Sequence, residues 1–154
     1  MDGILFLITA FAVAMIIALV VLHFIFKRRA APRYSAKDSL LTSTERKYYD
    51  LFVSFFGEDY LVLPQINLAT VIDKEGGGYR SELFRNVDFG IFDFNFRPLV
   101  LIEINDGTHL RPDRARRDEK VNLICKKAHI PLVTFWTKDG IDRQEIYKAL
   151  KKYL

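Results

Sequence analysis

Apolar positions fall into three successive patterns along this chain. From Gly3 to Phe26 there is no Asp, Glu, Lys or Arg, and a bilayer-spanning helix needs about 20 such residues. Beyond Leu41 the spacing becomes helical. Tyr48, Tyr49, Phe52, Phe55 and Phe56 share one side of a helix that Gly57 should stop. Thr42 and Glu45 have the spacing of a capping box, with Leu41 placed as the hydrophobic staple. The pattern then turns strand-like. Tyr60 to Ile72 reads as one strand, with Pro64 marking an edge or a bend. Val87, Phe89 and Ile91 alternate with Asp88, Gly90 and Phe92, and Leu99 to Ile104 is almost wholly apolar. A run apolar at every position predicts a strand covered on both faces by helices.

Pro112 suits the first position of a further helix, whose apolar side would be Val121, Leu123, Ile124 and Ala128, ending near His129. Ile130 to Trp136 predicts a last buried strand. Ile141, Ile146, Tyr147, Leu150 and Leu154 predict a closing amphipathic helix. The expectation is an α/β domain with an αβββαβ core and a C-terminal helix, preceded by one transmembrane helix. Its boundaries are an anchor at 1–26, a basic linker at 27–40 and the α/β domain at 41–154.

Charge sets an orientation. All 23 Lys and Arg lie from Lys27 onward, and Lys27, Arg28, Arg29, Arg33 and Lys37 follow the apolar run directly. Basic residues beside a spanning helix stay on the cytoplasmic side. The expected topology is a single-pass protein of the cell (inner) membrane, N-terminus outside and domain in the cytoplasm. A cleaved signal peptide is the competing reading, but it calls for a basic start and a shorter apolar core. The formal net charge of +4 is compatible with a polyanionic partner such as nucleic acid; no feature names a protein partner. Cys125 is the only cysteine, which excludes a disulfide within the chain and a Cys/His zinc cluster. Gly76-Gly77-Gly78 lacks the Lys-Ser/Thr of a phosphate-binding loop and reads as a flexible link.

The chemistry concentrates between Asn86 and Asp118. A two-residue turn at Asn95-Phe96 would set Asp88 opposite Glu103 on adjacent strands. Like charges so placed repel, and they call for a shared proton or a cation. A hard cation with oxygen ligands, Mg²⁺ or Mn²⁺, is the natural partner.

The ordered motifs also carry a resemblance. In sequence they are Leu41-Thr42-Ser43-Thr44-Glu45, Leu63-Pro64-Gln65, Val87-Asp88-Phe89, Ile102-Glu103-Ile104-Asn105-Asp106-Gly107-Thr108-His109, Arg114-Ala115-Arg116-Arg117-Asp118 and Ile130-Pro131-Leu132. Together they resemble the PD-(D/E)XK nuclease-like superfamily, more closely a branch related to very-short-patch repair endonuclease-like proteins. The resemblance implies a restriction-endonuclease-like fold and metal-dependent phosphodiester hydrolysis. Asp88, Glu103 and the Ile104 carbonyl would hold Mg²⁺ or Mn²⁺, with Glu45 approaching through water. His109 would act as base or orient that water, and Arg117 or Arg114 would neutralise phosphate. Gln65, Asp106 and Lys120 stand beside them as further candidates. Each has a plain alternative: Glu45 as a cap partner, His109 as a loop residue, the arginines as a solvated helix face. The superfamily's lysine, two residues after the acid of the third strand, is here Asn105, which can bind but cannot act as acid or base near neutral pH. The same fold without catalysis, tethered as a binding module, is therefore the alternative function.

Overall fold

The computed structural model describes residues 2–26, 32–105 and 112–154, and the chain divides into two units, Met1–Asp38 and Ser39–Leu154. In the first, Asp2–Phe26 forms one unbroken helix, α1. At 1.5 Å per residue it is about 37 Å long, more than the hydrocarbon core of a bilayer. Its large apolar side chains, from Ile4 to Phe24, are exposed all round. The chain thus has one N-terminal helix long and apolar enough to cross a membrane.

The second unit is mixed α/β. Helix α2 (Ser43–Phe56) opens with the expected capping box: Thr42 Oγ1 accepts from the Glu45 amide at 3.2 Å, and Glu45 Oε2 accepts from the Thr42 amide at 2.6 Å. Gly57 ends α2 with ordinary αR torsions, so its freedom of φ is not the reason for glycine. A Cβ there would lie 2.7 Å from the Val53 carbonyl oxygen. Strand β1 (Leu61–Asn67) is shorter than the expected strand. Asn67 caps a four-residue helix, α3 (Leu68–Val71), its side chain accepting from the Ala69 amide. The Asx cap redirects a chain whose apolar content still reads as strand.

Strands β2 (Asn86–Phe92) and β3 (Pro98–Asn105) form the central hairpin. Helix α4 (Pro112–Lys127) leads to β4 (Leu132–Trp136), and α5 (Arg143–Lys151) closes the chain behind an Asp142 cap. The sheet order is β1-β2-β3-β4, antiparallel except for the parallel β3–β4 pair. Helix α4 closes with His129 at φ 57 and the Ile130 amide bonded to the Cys125 carbonyl, a Schellman ending in which His129 occupies the position glycine usually takes. His129 is thereby accounted for structurally.

Both faces of the sheet are covered. Tyr48, Leu51, Phe52 and Phe56 of α2 with Ile146 and Leu150 of α5 pack on Val62, Phe89, Ile91, Val100 and Ile102. Leu68 of α3, Leu83, and Val121 and Cys125 of α4 pack on Ile66, Val87, Phe92 and Leu101. Leu123, expected on the buried side of α4, is instead 51% exposed. Cys125 fills the inward position, four residues after Val121.

The hairpin turn differs from the expected two-residue link. The Phe96 amide bonds to the Asp93 carbonyl at 3.0 Å, and the Asp93 amide to the Arg97 carbonyl at 3.1 Å. The loop is therefore Phe94-Asn95-Phe96, a turn closed by a residue in the left-handed region, with Phe96 at φ 60. Asp93 Oδ1 holds it by accepting from the amides of Asn95 and Arg97. Taken alone this loop would put the strands one residue out of the expected register. A bulge between Ile91 and Phe92 restores it: Phe92 pairs with Pro98, but Ile91 with Val100 and Phe89 with Ile102.

Candidate active site at one end of the sheet

The β2–β3 ladder runs as far as Phe89–Ile102; the sequence predicts Asp88 opposite Glu103 as the next pair, but the pairing ends before it. The backbone between them is not a plain ladder. Phe89 and Ile91 pack on the α2 side while Val87, two residues before Phe89, packs on the α4 side, so β2 changes faces at Asp88. On the other flank, Gln65 lies across from Asp88, between the pairs Pro64–Phe89 and Ile66–Val87, at φ 55. A non-glycine residue in that region costs about 1–3 kcal/mol and persists only where its surroundings hold it. The change of face lets the Asp88 carboxylate turn toward β3, where Oδ2 accepts the Ile104 amide at 2.7 Å. In a strand the N–H and C=O of one residue point to the same neighbour, so the Ile104 carbonyl faces Asp88 as well.

Asp88 is held above the ordinary carboxylate range. Burial is the main cause, the Ile104 amide opposes it, and the charge of Glu45 adds to it. Glu45 is thus both the cap partner of Thr42 and an electrostatic neighbour of Asp88.

Glu103 pairs with Thr134 and Asn105 with Trp136 in the parallel ladder. Leu101 and Leu132 belong to the α4 side, so strand alternation places Glu103, Asn105, Thr134 and Trp136 on that side too. There Glu103, Asn105 and Thr134 line a narrow cleft with Asp118, Val121 and Asn122 of α4. About 10 Å³ of it is open to the centre of a water molecule, room for roughly one water or one small cation. Asp118 and Thr134 were not singled out by sequence; Asp118 read as an ion-pair partner on a solvated helix face, and only the packing of α4 turns it inward.

The remaining candidates divide. Lys120 does not line the cleft; its charge acts on Glu82, which Lys74 holds at 2.6 Å, and both interactions lower the Glu82 carboxyl. Asp106 and His109 lie outside the described residues, as do the side chains of Arg114 and Arg117. Among the described residues no group of three or more His, Cys, Asp or Glu converges as metal ligands. Two buried polar atoms, the Tyr48 hydroxyl and Arg85 Nε, have no hydrogen-bond partner among the described residues. The Tyr48 hydroxyl is pushed up by burial and by the charge of Asp139.

No curated protein and no solved structure matches this chain. A model of one family, described as protein of unknown function (DUF2726), matches residues 37–153. With that match covering all of α2 to α5 and most of the sequence, the chain belongs to the DUF2726 family.

Proposed function

We propose that this protein is a membrane-anchored, metal-dependent nuclease-like enzyme with a restriction-endonuclease-like core, hydrolysing phosphodiester bonds in DNA or RNA at the cytoplasmic face of the inner membrane. One observation carries the reading: Asp88 Oδ2 accepts the amide of Ile104, the residue after Glu103 on the neighbouring strand, with Glu45 close enough to raise Asp88. A fold does not by itself specify an activity, so the weight rests on this end of the sheet.

The donors present suit a hard cation. They are all oxygen, two carboxylates with the Ile104 carbonyl beside them, and the adjoining cleft has room for one small ion or water. Asp88 and Glu103 would hold Mg²⁺ or Mn²⁺, which retains waters and so does not need a full set of protein ligands. Such a cation supplies a lowered pKa for bound water and offsets charge on the scissile phosphate. The chain's own residues do the rest. The Ile104 amide fixes one oxygen of Asp88 and leaves the other available. Glu45, restrained by the Thr42 amide, is placed to orient a water against Asp88. His109 or Arg117 would supply the proton transfer or positive charge that Asn105 cannot.

The tethered binding module is the second reading, and Asn105 favours it. Cleavage of single- and double-stranded DNA and of RNA by the full chain in detergent micelles, with Mg²⁺ or Mn²⁺, separates the two. Metal-dependent cleavage abolished by Glu103→Gln supports the enzyme. Binding without cleavage under every condition, with Asn105→Lys restoring weak cleavage, supports the module and overturns the enzyme.

A further inference from the structure

We propose that Trp136 and Lys138 form a lip on which one unpaired nucleotide of the substrate rests, the indole taking the base and the ammonium its phosphate. This rests on reading the Asp88–Glu103 end as a phosphodiester-cleaving site, and it adds the substrate class: single-stranded or locally unpaired nucleic acid.

The placement comes from β4. Trp136 ends that strand as the ladder partner of Asn105, two residues beyond Thr134, the partner of Glu103. Two residues along a strand span about 7 Å. By alternation Trp136 stands on the same side of the sheet as Glu103 and Thr134, beside Asn105 of the cleft lining rather than on the opposite core. It is 40% exposed, whereas Phe135 beside it packs into the α2 cluster.

Its companion is set by the turn that follows. Thr137–Asp139 is a single 3₁₀ turn closed by Gly140 at φ 76. That turn sends Asp139 toward Tyr48, on whose hydroxyl its charge acts, and brings Lys138 Nζ to 5.4 Å from the indole centroid. Among the described residues no carboxylate forms an ion pair with Lys138. The result is a partly exposed indole with a mobile-chain cation over its ring, which a base can displace toward its own phosphate, two residues along the strand from the partner of Glu103.

Each part matches one component of a nucleotide. An indole face stacks on any base without reading its edge, and an ammonium meets phosphate as a point charge. A base in a duplex has both faces occupied by its neighbours, so only an unpaired or flipped nucleotide can use this surface. An acidic peptide would satisfy Lys138 and leave the indole unused.

Trp136 is the only tryptophan in the chain, so tryptophan emission, excited at the red edge where the seven tyrosines do not absorb, reports on the lip alone. The full chain in detergent micelles, free of divalent metal, is titrated with a short single-stranded oligothymidylate and with a duplex of equal length. The proposal expects quenching by the single strand and little by the duplex. Trp136→Ala should weaken single-strand binding by about 5- to 150-fold, measured by anisotropy of a labelled strand. Trp136→Phe should retain most of the affinity, and Lys138→Gln should reduce the salt slope by about 0.7. Absence of quenching together with unchanged affinity of Trp136→Ala overturns the lip, and Glu103-dependent cleavage would still stand beside that result. Equal quenching by the duplex also overturns it. Quenching with no cleavage in Mg²⁺ or Mn²⁺ supports the lip and sinks the catalytic reading instead.

Discussion

Glu45 carries two loads that substitution can separate. Its carboxylate accepts the Thr42 amide at 2.6 Å, completing the cap of α2, and its charge raises Asp88. Glu45→Ala removes both. Losing a capping interaction costs about 1 kcal/mol, and the exposed Thr42 amide can turn to water, which favours the lower half of the range. At about 4 °C per kcal/mol for a domain slightly above 100 residues, the thermal midpoint should fall by about 2–4 °C. Glu45→Gln keeps an acceptor at the same position, as the capping box allows, and removes only the charge. Its midpoint in metal-free buffer should stay within about 1 °C of the parent's. Asp88 should nevertheless come down toward the ordinary range in both variants, though not fully, since burial is the larger cause. The Ile104 amide is the probe, because it donates directly to Asp88 Oδ2 and its nitrogen and proton shifts follow the protonation of that carboxyl. A pH titration of that resonance in the full chain, parent against Glu45→Gln, gives the comparison. If the midpoint of the Ile104 titration is the same in both, Glu45 is a cap partner only, and its place at the site is withdrawn.

Three further outcomes follow from the same structure. Because Asp88 is raised in the fold, its stabilising contribution is complete below the unfolded carboxylate value and is lost as pH rises through the raised one. Asp88→Asn, which can still accept the Ile104 amide, should therefore gain on the parent in metal-free melting between about pH 4 and about pH 7; a flat or narrowing difference would falsify the assignment. Phe52, fully buried and edge-on to Phe89 at 5.5 Å, should cost about 3–5 kcal/mol when cut to Ala in denaturant unfolding, whereas exposed Leu123→Ala should stay within about 0.5. Similar losses at both positions would mean that the inward face of α4 is misassigned. A C-terminal reporter active only outside the cytoplasm should be silent on the full chain, given the basic cluster after α1. Strong signal from it would reverse the proposed topology.

Much of the fold was legible because its signals are local. The capping box at Thr42, the stop at Gly57, the apolar run of β3 and the spacing of α5 each depend on residues within a few positions. The misreadings share a cause: tertiary packing chose between locally equivalent options. Leu123 and Cys125 are both apolar, and only the sheet decides which of them faces inward. Leu68 to Val71 has the composition of a strand, yet the Asn67 cap turns it into helix. At the site, the hairpin register was legible as far as Phe89–Ile102, although the turn assumed for it was wrong and the bulge at Ile91/Phe92 made good the difference. Asp118, Thr134, Trp136 and Lys138 carried no motif. Asp118 and Thr134 reach the cleft through the docking of α4 and the parallel β3–β4 pairing, which also sets Trp136 beside Asn105 and brings together positions far apart in the chain.

The compensated hairpin has a consequence for how this region can change over time. The three loop residues lie inside the Asp93–Arg97 closure, and Leu99 is passed over between the pairs Phe92–Pro98 and Ile91–Val100, so a residue can leave either place without re-pairing the two strands. A single-codon deletion at Phe96 would shorten the loop to two residues behind the same Asp93–Arg97 closure. Length changes at the tip or at the bulge are therefore local, whereas an insertion or deletion within Phe89–Ile91 or Val100–Ile102 would slip the pairing. The tip of the hairpin, formed of exposed Phe94 and Phe96, can thus vary while the ladder from Phe89 to Ile91 holds the register.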